Sequence, residues 1–567
     1  MKFFETQNQK SFKIYIKDNT FKIKDKIGDN TFYTNGAISS EVYEASKVGV
    51  NILKKGGNSV DAAIATAICV GIINQFSSGI GGGAFMVIMD ESKKESPQYY
   101  MIDSREMAPT NINIEKIQKN PKNSIEGGLA VCIPGEIKGY IKAHKKFGKL
   151  PWKDLFEENI QIAKKFKVSK ILEKRLFENK AHIFKDEGLK ETYTRNGELL
   201  KHDEYCYREN LSKTLKKISE DPESFYIGSL ADDIINFVNK KGGCLTKKDF
   251  SDYESVFRDV LTGKYKDYEI ITSGLPSAGI FLIEILKTLE KYNLNILEKN
   301  QKLSSYHVLV EIFKFVYSQR ADYCDPDFLQ NYREMIKNKI SDKRSQEIFN
   351  KINLKKVLDE TEYNVKKHTS YDNGTTHINV VDSNNISVLL TSSIDLAFGS
   401  KILDPKTGIC FNSTINDFYI PGINSAYLLS SSPKNILHPG KRPFSSIAPL
   451  ILKNNNETIL LGGAGGSRIP TNIILVIFYM ELGLSMEEAI NAPRFHHQFN
   501  PNILYIENIL PRELREELTK FGHQVKECIT NSNFTSVQSL IIRTDENKKK
   551  RIFAYSDPRK GGKPDGY

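Results

Sequence analysis

The stretch Gly374-Thr375-Thr376-His377-Ile378-Asn379-Val380-Val381-Asp382 constrains this chain more than any other. A glycine precedes two hydroxyl residues, and an apolar, extended run follows. Glycine adds no side chain and tolerates a strained backbone, so a neighbouring hydroxyl can reach its carbonyl. Thr375 is placed to attack the Gly374 carbonyl. Hydrolysis of the resulting ester would leave Thr375 with a free α-amine. Such an amine has a reference pKa of about 8, low enough to serve as general base for its own hydroxyl near neutral pH. The same residues also describe an ordinary strand entry, and taken alone they leave both readings open.

At 567 residues the chain exceeds the usual size of one domain and can bury a large core. Its formal charge of +11 is spread along the sequence, which reads as a solvated face. No nucleic-acid signature accompanies it, so no nucleic-acid partner is expected. The seven cysteines form no CxxC pair, which argues for free thiols over a disulfide framework or zinc site. Residues 1–35 read as a polar, basic arm without the apolar core of a signal peptide, and location stays open.

The first predicted helix starts at Ser39 or Ser40, carries Val42, Ala45, Val48, Ile52 and Leu53 at helical spacing, and stops at Gly56-Gly57. A second, Val60 to Ile73, is capped by Asn58 or Ser59 and is apolar nearly all round, so it belongs inside. Gly79, Gly81 and Ala84 loosely match a dinucleotide fingerprint. Here, however, the glycines follow a helix and enter a strand, which indicates a tight turn beside closely packed backbone. Strands are expected at 84–89 and 99–102, the latter ending before Arg105, which on its own reads as a surface arginine pairing with Glu106 or Asp103. The pattern over 150–330 is mainly helical, and the charged residues 335–370 read as an exposed tether leading to Gly374. After Thr375 strands dominate, with a hairpin over 376–393 and an apolar strand running into Gly462-Gly463-Ala464-Gly465-Gly466-Ser467. Central strands with outer helices define an α/β (α+β) class with sheets between helix layers. His496-His497 lacks further ligands at readable spacing, so a structural role is expected and no metal site is assigned.

Ten blocks, in order, then carry a resemblance from about residue 36 onward. They are GGNSVDAAIATA (56–67), SSGIGGGAFMV (77–87), DSREMAP (103–109), IPGEIKG (133–139), GTTHINVVD (374–382), FGSKILDPKTGICFN (398–412), PGKRPFSSIAP (439–449), GGAGGSRI (462–469), APRFHHQ (492–498) and SDPRKGGKPDGY (556–567). The chain resembles the γ-glutamyltransferase (glutathione hydrolase) proenzymes. The resemblance implies an αββα N-terminal-nucleophile hydrolase fold. It implies self-cleavage between Gly374 and Thr375, giving a large fragment, 36–374, and a small one, 375–567, that stay together as a heterodimer. Matched by motif position, Thr375 is the nucleophile and Ser393 its hydrogen-bonding partner. Gly465 and Gly466 form the oxyanion hole. Arg105, Ser445 and Ser446 hold the substrate α-carboxylate, and Asp417 the α-ammonium. No cofactor is implied. The implied substrates are glutathione and other γ-glutamyl compounds, with water, amino acids or dipeptides as acceptors.

The chain departs from the family pattern near the ammonium. Asp395 stands where an asparagine is common, and Thr414 where a glutamate or glutamine is usual. Ser413 and Asn416 also differ. The exchange partly conserves charge, so a γ-glutamyl ammonium is still expected to bind at Asp395, Thr414 and Asp417. Two alternatives follow. One is an acylase of the same fold for another short dicarboxylic acyl amide. The other is an unprocessed binding or scaffold protein.

Overall fold

The computed structural model describes residues 32–92, 97–294, 304–363, 374–423, 432–528, 535–544 and 549–567. Residues 1–31 of the expected arm and 364–373, directly before the Gly374-Thr375 pair, lie outside the described residues.

Two sheets organise the chain. The first runs, in spatial order, Asp565–Gly566, Ala37–Ser39, Gly374–Val381, Ile386–Asp395, Gly83–Asp90, Gln98–Ser104 and Val256–Arg258. The second runs Lys550–Ser556, Ser536–Thr544, Glu457–Ala464, Leu450–Lys453, Tyr268–Ser273 and Val260–Tyr265. Every pairing in both is antiparallel. The sheets face one another, the Gly374 strand against the Glu457 strand. Helices cover the outer faces, giving four layers.

Strand periodicity assigns the faces. On the Gly374 strand and its partner, Ile378, Val380, Val388, Leu390 and Ile394 join the core beneath the helices Tyr43–Lys54 and Ser59–Ile73. Val381 and Leu389 join the core shared with the second sheet and the helices Gly279–Leu289, Ser304–Tyr317 and Ile469–Glu481. The Gly374 strand is buried at every position because it is central and covered on both sides.

The second helix matches its expectation. Asn58 Oδ1 accepts from the N–H groups of Val60 and Asp61 at 3.0 and 3.1 Å, and Asp61 Oδ2 accepts from Asn58 N–H at 3.1 Å, a reciprocal cap. The first helix begins later than expected, at Tyr43, because Ala37–Ser39 pairs as a strand with residues 379–381. The glycine turn is close-packed as expected. A Cβ at Gly81 would meet the Cys410 carbonyl oxygen at 2.2 Å, and one at Gly82 would meet that of Ser393 at 2.2 Å.

Two expectations over the middle of the chain need correction. Within the helical stretch 150–330, Val260–Tyr265 and Tyr268–Ser273 form a hairpin at the edge of the second sheet. Its two-residue turn is Lys266-Asp267, with Lys266 at φ 53°, so the glycine or asparagine that marks such turns is missing. Part of the expected tether is also folded. The helices Tyr332–Lys339 and Asp342–Lys351 bury Ile336 and Ile348 in the core. At the chain's other end the carboxyl-terminal Tyr567 is tied down, its N–H donating to Gly36 O at 3.0 Å.

His377 lies between the sheets, and a Cβ at Gly462 would overlap its ring at 2.1 Å. Its nitrogens bond Thr391 Oγ1 at 2.8 Å and Asn379 Oδ1 at 3.0 Å. Burial holds the ring's pKa down at about 4. A depressed folded pKa means that the unfolded chain takes up the proton first. The stability from neutral His377 is therefore full above about pH 6.5 and is lost as pH falls through about 4. Urea unfolding of the parent and of His377→Gln at pH 7.5 and 5 checks this. The parent's stability relative to the variant falls on acidification by about 1.4 kcal/mol per pH unit within that window.

Candidate active site

The Gly374 strand opens on the Gly374-Thr375 pair. Thr375 is fully buried. Its Oγ1 lies 3.1 Å from Ser393 Oγ, directly across the ladder. Ser393 Oγ donates to Gly374 O at 2.7 Å and accepts from Asp395 N–H at 3.0 Å. A serine has one hydroxyl proton, and here it goes to the Gly374 carbonyl. The Thr375 hydroxyl must then be the donor in its contact with Ser393. The result is a polarised carbonyl next to an oriented hydroxyl. A Cβ at Gly374 would meet Leu396 O at 2.4 Å and Asp395 O at 2.8 Å, so only glycine fits. The ladder register shifts between Gly374 and Thr375, which marks the pair as an irregularity at the strand end.

Beyond the paired strand lies a buried ionic cluster. Arg105 N–H groups donate to Glu106 Oε2 at 2.9 Å and to Asp417 Oδ2. Arg105 is 2% exposed, which excludes a surface pairing. Thr414 Oγ1 donates to Glu106 Oε1 at 3.0 Å. Burial raises the Glu106 pKa, and the Arg105 guanidinium opposes that rise. Asp395 sits at φ 73°, and its Oδ2 accepts from Ser413 Oγ at 2.8 Å and Asn416 Nδ2 at 3.3 Å. Ser413 and Asn416, two of the departures from the family pattern, thus hold a third, Asp395. Asn412 fixes the segment, donating to Gly81 O and Cys132 O at 2.9 Å.

Arg105 Nε also reaches Pro443 O at 3.5 Å, which brings in the loop with Ser445 and Ser446. Ser445 Oγ accepts from Ile447 N–H at 3.2 Å. Ser446 Oγ is buried and has no hydrogen-bond partner among the described residues. A buried hydroxyl without a partner is costly unless a ligand supplies one. Gly465 and Gly466 end the Glu457 strand at φ 132° and 63°, backbone that L side chains rarely adopt. A Cβ on Gly465 would meet Thr535 Oγ1 at 2.6 Å. Ser536, the next residue, donates through Oγ to Glu41 Oε1. Glu41 pairs with Lys560 at 3.2 Å, and Lys560 Nζ donates to Thr375 O at 2.9 Å. The glycine turn is thus joined to Thr375 through this network.

Sequence reading assigned no role to Glu41 or Lys560, and placed Glu106 only as a surface partner of Arg105. Lys560 stands in SDPRKGGKPDGY without a cue to its partner. His496 and His497 have both ring nitrogens engaged. His496 bonds Thr471 Oγ1 at 2.8 Å and Gln498 Oε1 at 2.9 Å, and His497 bonds Asn502 Oδ1 at 3.1 Å and Phe499 N–H at 3.0 Å. That is the expected structural role. His307, Glu311 and His523 also converge. There Glu311 already faces Lys314 at 2.9 Å and takes the Tyr363 hydroxyl at 2.5 Å.

The four-layer arrangement overlays the crystal structure of cephalosporin acylase from Bacillus halodurans with a TM-score of 0.81, covering 97% of this chain and 99% of that one at 23% identity. The fold is that of the N-terminal-nucleophile hydrolases. The sequence model of the γ-glutamyltranspeptidase family matches residues 45–567, and the chain belongs to that family of enzymes. Glutathione hydrolase proenzyme 1 of Schizosaccharomyces pombe is 38% identical over 552 residues, 95% of this chain and 86% of that protein. The γ-glutamyltranspeptidase of Helicobacter pylori superposes with a TM-score of 0.54 at 27% identity, over 59% of this chain and 96% of that one.

Arg105→Ala leaves the Glu106 and Asp417 carboxylates buried without their cation. Losing one partner of a buried ion pair costs about 3–5 kcal/mol. Denaturant unfolding of the variant reads this loss directly, and a parental midpoint would contradict the pairing.

Proposed function

We propose that the chain is a proenzyme that cleaves itself before Thr375 and then transfers γ-glutamyl groups from glutathione and related γ-glutamyl amides. The observation that carries this is the Ser393 hydroxyl, which bonds both the Thr375 oxygen and the Gly374 carbonyl oxygen. In the precursor, Thr375 Oγ1 adds to the Gly374 carbonyl carbon. The Gly374–Thr375 amide breaks, an ester forms, and water releases the Gly374 carboxylate. Thr375 keeps its hydroxyl and gains an α-amine. Residues up to 374 form the large fragment and 375–567 the small one, held together as a heterodimer by the shared first sheet.

In the mature enzyme Thr375 Oγ1 attacks the γ-amide carbonyl of the substrate, and the α-amine accepts the hydroxyl proton. The oxyanion rests on the N–H groups of Gly465 and Gly466. The protonated leaving amine, cysteinylglycine from glutathione, departs from a γ-glutamyl ester on Thr375. Water then yields glutamate, or an amino acid or dipeptide amine yields a new γ-glutamyl amide.

The ionic cluster supports an α-amino acid head group. A zwitterion carries both charges that Arg105 and Asp417 now offer each other, so it can enter between them with charge conserved. Arg105, Ser445 and Ser446 take its carboxylate, and Asp417 with Asp395 its ammonium. Thr414 acts through Glu106, to which it is bonded. A glutaryl amide lacks the ammonium and would leave those carboxylates unmatched.

Thr375→Ala tests the nucleophile. It remains one chain on a denaturing gel and releases no product from a chromogenic γ-glutamyl amide; normal processing of this variant would move the cleavage site elsewhere. Comparing γ-glutamyl and glutaryl anilides with the parental enzyme tests the head group. The γ-glutamyl compound is preferred by at least about 10-fold, and preference for the glutaryl compound would turn the reading toward an acylase.

A further inference from the structure

Lys560 and Glu41 form a buried ion pair that no step above uses. Lys560 is 5% exposed and Glu41 1%. Lys560 Nζ lies 3.2 Å from Glu41 Oε1 and 2.9 Å from the carbonyl oxygen of Thr375. Glu41 Oε1 also takes the Ser536 hydroxyl, on the strand beside the Gly465 turn. Glu41 follows the strand Ala37–Ser39, and Lys560 lies seven residues before the carboxyl terminus, in the turn Pro558–Lys560. The pair therefore reaches from one proposed fragment to the other and meets at the first residue of the second.

From this geometry we infer that Lys560, held by Glu41, is the positioning residue for the mature nucleophile. The inference rests on the reading of Thr375 as the new amino terminus. Cleavage removes the covalent tie at the Thr375 nitrogen and frees that end of the strand to fray. Its carbonyl, held by Lys560, remains a backbone anchor of the residue. An ammonium donor on that carbonyl fixes the Cα, and with it the direction of Oγ1 toward the substrate. Misplacing a reacting group by about 1 Å can cost roughly 100-fold in rate, so a clamp here acts on turnover rather than on binding.

The pair also sets the charge felt by the α-amine, which shares its Cα with the clamped carbonyl. A nearby cation disfavours the ammonium form and a nearby carboxylate favours it. The other titratable groups about Thr375, among the described residues, include Asp395 on the paired strand, Glu136 bonded to Ser392 of that strand and unchanged in every variant below, His377 along its own strand, and Asp557 and Arg559 beside Lys560. Burial keeps His377 neutral above about pH 4. Asp557 pairs with Arg494 at 3.1 Å, and Arg559 pairs with Glu507 at 2.9 Å. Asp395 is common to every variant below. Changes at 41 and 560 thus shift the amine in opposite directions.

The test measures kcat, KM and the acid limb of kcat/KM against pH for Lys560→Met, Lys560→Arg and Glu41→Gln, per mole of processed chain. Intact mass gives the processed fraction, and thermal unfolding confirms the fold. Lys560→Met is expected to lower kcat by about 10-fold or more with KM within about twofold. Its acid limb moves up by roughly one pH unit, and that of Glu41→Gln moves down. Lys560→Arg restores most of the rate. A processed Lys560→Met with parental kcat and parental acid limb overturns the inference. So does a rise in KM alone. In either case, a small fragment still beginning at Thr375 leaves the nucleophile assignment standing.

Discussion

The single hydroxyl of Ser393 ties the whole arrangement together. It serves the Thr375 oxygen, the Gly374 carbonyl and the Asp395 N–H at once, at 3.1, 2.7 and 3.0 Å. That geometry exists only because two strands of a fully buried sheet hold residues 375 and 393 opposite each other. The ladder in turn depends on layers packed against both faces. Apolar residues on alternate positions sit under the first helix pair, and the others meet the second sheet. A central strand that begins on a glycine can bring a hydroxyl and a carbonyl together without side-chain interference. Gly374, hemmed in by the carbonyls of Leu396 and Asp395, supplies that start.

Around this strand end the protein gathers buried charge. Arg105 bridges Glu106 and Asp417, Asp395 is held by Ser413 and Asn416, and Lys560 meets Glu41. Each group is paired or hydrogen-bonded, as burial of charge requires. The pairs draw on distant parts of the sequence: Arg105 with Asp417, and Glu41 with Lys560. An interior of this kind is expensive to build. Its return is a preorganised site in which charge and dipoles are already oriented before a substrate arrives.

Much of this was legible in the sequence, for physical reasons. The Asn58 cap, the all-apolar second helix and the hairpin over 376–393 rest on local patterns, and each appears there, the hairpin extended by two residues at each open end. The SSGIGGG turn was read as close-packed because its order is wrong for a nucleotide loop, and its glycines press on Cys410, Ser393 and Glu106. The hairpin Val260–Ser273 was hidden because its turn uses Lys266 at a positive φ and its first strand lies partly exposed at the sheet edge. The helices over 332–351 were hidden because they bury few residues, such as Ile336 and Ile348, within a strongly charged stretch. Glu41 and Lys560 could not be read at all, since a long-range ion pair leaves no periodicity. Thr414 is instructive in another way. Its position suggested substrate contact, whereas its hydroxyl is bonded to Glu106, a partner that sequence alone did not supply.

The central claim is that one peptide bond, at the mouth of one buried strand, becomes the working amino terminus of the enzyme. Amino-terminal sequencing of the smaller piece of the purified protein, read together with its intact mass, tests it most directly. That piece is expected to open Thr-Thr-His-Ile-Asn and to run from residue 375. A smaller piece opening at any other residue, or a catalytically active protein that remains a single uncut chain, would contradict it.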